Sequence, residues 1–106
     1  VTPFDVRATA NDGVATVTVT GDLDCATAPR LRATLEGLAA GGQTVLVDLS
    51  RTEFMDCAGV GVLMGLHTRL RDRGGDLVVG SPSGPALRVL ELTGVLEVIS
   101  LGGAKG

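Results

Sequence analysis

Val17 and Val19 alternate with Thr16, Thr18 and Thr20. That period of two predicts a half-buried strand over residues 14–20, with β-branched residues on both faces. Asn11-Asp12-Gly13 just before it is a hairpin turn signal, so a strand over residues 4–9 is expected to pair antiparallel with it. The period then changes. Leu31, Leu35 and Leu38 fall at i, i+4 and i+7, the stripe of an amphipathic helix. Asp24 is placed to cap that helix, Pro29 stands near its first turn, and Gly41-Gly42 closes it at about residue 40.

Residues 45–49 (Val-Leu-Val-Asp-Leu) are nearly all apolar, as expected of a central parallel strand. Alternation fails over residues 50–55, which read as a loop. Asp56 then caps a second helix, residues 57–73, closed by Gly74-Gly75. Residues 76–80 form the next strand. Ser81 or Ser83 can cap a third helix, with Pro85 near its start and Gly94 at its end, before a last short strand at residues 97–101. Residues 102–106 read as a loose tail. The order is β-β-α-β-α-β-α-β, an α/β domain with a mixed sheet of four to five strands. Crossovers are right-handed, so strands added successively on one side would stack every helix on one face. The helix N-termini would then share one edge.

A chain of 106 residues is one domain, residues 1–101 with the tail beyond. Its charge of −3 argues against a duplex nucleic acid or an anionic membrane surface as partner. With no Trp, no Tyr and only Phe4 and Phe54, it has no stacking platform for single strands either. One His and two Cys do not make a standard zinc site. No membrane span or secretory signal is read, so a cytoplasmic setting is expected.

The richest segment is Phe54-Met55-Asp56-Cys57-Ala58-Gly59-Val60-Gly61-Val62-Leu63-Met64-Gly65. Each interior glycine costs a helix about 1 kcal/mol relative to Ala, so either close packing or a close partner must offset it. Apolar residues point all round this helix, and a patch left facing water usually marks a partner surface. Gly59-Val60-Gly61 is not a dinucleotide fingerprint, because the third glycine position holds Met64, and no phosphate loop occurs. Cys57 and His67 lie about 15 Å apart along one helix, so they form no catalytic dyad. Asp24 and Asp56 each end a strand–helix loop: two caps, or a paired acidic locus on one edge. Cys25 and Cys57 are expected near that same edge, each in the first turn of a helix, close but unbonded.

Three blocks carry a family resemblance. Gly21-Asp22-Leu23-Asp24-Cys25-Ala26-Thr27-Ala28 resembles the Gly-(Glu/Asp)-Leu-Asp-x-x-Thr-Ala signature of anti-sigma factor antagonists. Val47-Asp48-Leu49-Ser50 followed by residues 54–63 resembles their Phe-x-Asp-Ser-(Ser/Thr)-Gly-Leu-Gly-x-Leu centre, and Leu90-Glu91-Leu92-Thr93-Gly94-Val95 resembles their late helix end. The chain is thus identified as similar to the STAS domain family. The resemblance implies a non-enzymatic regulator without cofactor. It would bind an anti-sigma factor, itself an ATP-dependent serine kinase, and release a sigma factor. It implies partner contacts at Asp24, Asp56, Cys57, Ala58, Gly59, Val60 and Met64, in a monomer or weak dimer. In the family the kinase phosphorylates the Ser after the motif Asp. Here that position is Cys57, followed by Ala58, so no hydroxyl remains at the switch. A scaffold subunit of a sensory assembly, or a thiol sensor built on Cys57, are the rival readings.

Overall fold

The computed structural model describes residues 2–102. Strand β1 (Asp5–Asn11) and strand β2 (Val14–Leu23) pair antiparallel through the two-residue turn Asp12-Gly13. Both turn residues have positive φ, 54° and 79°, the conformation that matches the twist of a tight hairpin. Helix α1 (Ala28–Ala39), strand β3 (Thr44–Met55), helix α2 (Cys57–Asp72), strand β4 (Asp76–Gly80) and helix α3 (Gly84–Thr93) follow, then a 3-10 turn (Val95–Glu97) and strand β5 (Leu101–Gly102). The sheet order is β1-β2-β3-β4-β5, with every pair after the first parallel.

Each strand joins next to its predecessor, so every crossover brings its helix to the same side. Ala15, Val17, Val19, Val45, Val47, Leu49, Leu77 and Val79 are fully buried beneath those helices. Leu31 and Leu35 of α1, Leu63, Leu66 and Leu70 of α2, and Ala86 and Leu90 of α3 close the core from above. The opposite face carries Thr16, Thr18, Thr20 and Asp48, all only partly covered. The expected mixed sheet with helices on one face is the observed architecture.

Besides small shifts at other element ends, β2 running on to Leu23 among them, three differences from the sequence reading have clear physical reasons. Residues 50–55 are not a loop; they continue β3 to Met55. Along this stretch the ten residues of β2 face the twelve of β3, because the register slips once between Thr18 and Thr20 and again between Gly21 and Asp22. Each slip is a bulge with one extra residue on β3, which resets which way side chains point. The buried positions of β3 are therefore Val45, Val47, Leu49, Thr52 and Met55, a spacing that changes from two to three and hides the strand.

The last strand is not residues 97–101. Val98 and Ile99 both donate backbone hydrogen bonds to Val95 O, at 3.0 and 2.9 Å, so this stretch coils and buries Val95 and Ile99 one turn apart. Only Leu101 and Gly102 pair with β4, opposite Val79 and Gly80. Gly102 therefore belongs to the sheet and not to a loose tail; residues 103–106 lie outside the described residues.

The third difference is the start of α1, at Ala28 instead of just after Asp24. The Asp24 Oδ1 accepts from the backbone N–H of Ala26 and Thr27, at 3.0 and 3.1 Å, and so closes a turn of its own. Thr27 locks that turn, its hydroxyl donating to Asp22 O at 2.7 Å and accepting from Asp24 N at 2.9 Å. Asp24 thus stabilises the turn before the helix. No described helix is long and apolar enough to cross a membrane.

Candidate functional site

The site forms where β2 and β3 run out. Leu23 and Met55 are the last paired residues, and the Asp56 N–H still bonds Leu23 O at 3.2 Å. The next residue on each chain is an aspartate, so Asp24 and Asp56 come to the same edge on adjacent loops. Asp56 caps α2: its backbone is extended, with φ −128° and ψ −171°, and its Oδ1 accepts from Ala58 N at 2.9 Å. That cap fixes Cys57 as the first residue of α2, exposed to solvent.

Among the described residues no Arg or Lys pairs with Asp24 or Asp56, and no cluster of three or more His, Cys, Asp or Glu is arranged to hold a metal ion. The site is therefore a negatively charged surface point at a helix start. None of Asp24, Asp56 and Cys57 lines the cleft of about 570 Å³ formed by Thr20, Arg51, Glu53 and Ser83.

The glycines of α2 divide by environment. Gly59 is buried, and a Cβ there would lie 2.8 Å from Leu23 Cγ and Cδ2 and 3.2 Å from Met55 Cε. Having no side chain there lets α2 settle onto the ends of β2 and β3. Gly61 and Gly65 are the reverse: exposed, with nothing within 4 Å of where a Cβ would stand. Cys57, Gly61 and Gly65 recur every four residues and so share one stripe of the helix. Val60 and Met64, partly covered, flank it, as does Ala58 at its start. The result is a low track of bare helix backbone edged by apolar side chains.

Cys25 is also exposed and unbonded, but it sits in the Asp24 turn, three residues before α1 begins, and not in the first turn of a helix. His67 lies far down α2, with Nε2 3.5 Å from Asp76 Oδ1, and takes no part in the site. Gly61 and Gly65 on this surface, and the half-exposed Phe54 two residues before Asp56, were not among the partner contacts that the family resemblance implied. A signal existed for the glycines: three in one helix, of which only one can be explained by packing.

With this geometry in view, the similarities to known proteins are specific. The STAS domain family model matches residues 5–104. The chain is 34% identical to the anti-sigma-B factor antagonist of Listeria monocytogenes over 83% of this chain and 78% of that one. It is 31% identical to the anti-sigma-B factor antagonist of Bacillus subtilis, covering 92% of this chain and 87% of the relative. The crystal structure of an anti-sigma factor antagonist from Mycobacterium paratuberculosis superposes with a TM-score of 0.85 at 27% identity, over 93% of this chain and 85% of that one. The chain belongs to the STAS domain family.

Proposed function

We propose that this chain is an anti-sigma factor antagonist: a cytoplasmic, non-enzymatic protein that binds an anti-sigma factor and thereby releases a sigma factor. The carrying observation is the edge where Asp24 and the Asp56-capped start of α2 meet, with Cys57 exposed between them and the Gly61–Gly65 track behind it. The partner in this reading is an ATP-binding serine kinase. It contacts Asp24, Asp56, Cys57, Ala58, Gly59, Val60 and Met64, and the antagonist acts as a monomer or weak dimer without cofactor, nucleic acid or membrane.

The chemistry at position 57 sets this antagonist apart. A kinase aligns a hydroxyl for in-line attack on the γ-phosphate. A thiol there has a longer bond to carbon and different acidity, and misplacement by about 1 Å can cost a hundredfold in rate. The native chain therefore docks and stays docked when ATP is present. Sulfur for oxygen at an exposed helix start leaves the docking surface unchanged, so Cys57→Ser restores the switch. An in-vitro kinase reaction with the organism's own anti-sigma kinases, read by intact mass, tests this. The expected result is phosphorylation and release of Cys57→Ser but not of the native chain. Phosphoryl transfer to native Cys57 at the rate of the Ser variant would sink the reading of a lost switch.

A further inference from the structure

The chain spends its two aromatic residues differently. Phe4 packs against the core, with the Arg30 guanidinium 5.0 Å from its ring centre. Phe54 stays 49% exposed, although burying such a ring is among the larger gains a fold can make. Its exposure is built in. The second bulge of β3 falls between the pairs Gly21–Thr52 and Asp22–Phe54, so Thr52 and Met55 both turn inward and Glu53 and Phe54 are both left outside. Bulges recur beside functional sites because they re-aim side chains in this way.

We propose that Phe54 is an aromatic anchor of the anti-sigma factor interface, inserting into an apolar pocket with a basic rim on the partner. The inference rests on the antagonist reading above and extends its surface past α2. Phe54 is two extended residues, about 7 Å, from Asp56. A standard interface covers about 800 Å² per partner, a patch about 30 Å across, so a footprint centred on Cys57 reaches Phe54. Charge selects the partner. Exposed Asp22 lies directly across from Phe54 in the β2–β3 ladder, and exposed Glu53 precedes it. A second copy of this chain, meeting it about a two-fold axis, would set these carboxylates against themselves. A partner pocket rimmed by Lys or Arg meets them favourably.

The test measures the binding of native chain, Phe54→Ala, Phe54→Leu, Met64→Arg and Leu92→Ala to the organism's purified anti-sigma factors, with melting temperature and sedimentation for each. Phe54→Ala should weaken binding about 10- to 100-fold, the range that loss of one buried ring allows, and melt within about 2 °C of the native chain. Phe54→Leu should recover part of the affinity. Met64→Arg should weaken binding through the α2 track, and Leu92→Ala, exposed on α3, should bind as the native chain does. Native affinity in Phe54→Ala alongside loss in Met64→Arg overturns the anchor and leaves the antagonist reading intact. A large fall in the melting temperature of Phe54→Ala, or a native dimer that this substitution abolishes, also overturns it by assigning Phe54 to the fold or to a second copy. A native chain that binds none of the anti-sigma factors overturns both readings.

Discussion

Gly59 and Gly61 stand two residues apart on α2 and carry opposite constraints. At Gly59 an added methyl meets Leu23, which is itself fully buried, at 2.8 Å. At Gly61 it meets nothing within 4 Å. Replacing an interior helix glycine by Ala favours the helix by about 1 kcal/mol at either place. Overpacking a core contact costs about 1–3 kcal/mol, and only Gly59→Ala incurs it. Because the helix term is common to both, the difference between the two variants isolates the packing. Gly61→Ala should raise the melting temperature and should melt at least about 4 °C above Gly59→Ala. Equal melting temperatures would show that α2 does not rest on Leu23 as described. From sequence both are glycines in one motif. Which is structural depends on where the 3.6-residue repeat meets the end of β2, a contact between residues far apart in the chain. The Asp56 cap, by contrast, was legible, because a cap is decided within three residues.

Strand β3 shows the same divide one level up. Elements whose pattern is local were readable: the β1–β2 hairpin from Asp12-Gly13, α1 from its leucine stripe, α3 from Pro85 and Gly94. The far half of β3 was not, because its two bulges break the alternation that marks a strand. Nor was the turn at Asp24, where Asp22, Asp24 and Thr27 bond one another before the helix can begin. The first bulge has a consequence that can be measured. It leaves Val19 without a register partner on β3, and the buried Thr52 hydroxyl donates to Val19 O at 3.1 Å. Thr52→Val keeps the shape and removes the donor. Losing one buried hydrogen bond costs about 0.5–1.5 kcal/mol net. Urea unfolding should show that loss as a lower midpoint with an unchanged slope. An unchanged midpoint would mean that the bulge is satisfied in some other way.

At the scale of the molecule, folding and the proposed docking place opposite demands on charge at one point. The sheet order brings the starts of α1 and α2 to one edge, and Asp24 and Asp56, unpaired among the described residues, make that edge negative in a chain of net charge −3. A further negative charge at position 57 sits at a helix N-terminus, where the dipole favours it by about 0.3–1 kcal/mol. Repulsion from the neighbouring Asp56 opposes this, so Cys57→Asp should leave stability within about 1 kcal/mol of native. Docking has no such compensation. The charge would be carried into a contact where solvent is excluded and screening, about 8 Å in range at physiological salt, no longer helps. On the proposed antagonist reading, Cys57→Asp should therefore bind the anti-sigma factor at least about tenfold more weakly while melting almost as the native chain does. Cys57→Asn, matched in shape and neutral, should keep most of the affinity. Measuring binding and melting on the same three proteins separates the causes. Equal weakening in the Asp and Asn variants would show that the contact at position 57 is governed by fit instead of charge, and a phosphate there would then act through its bulk.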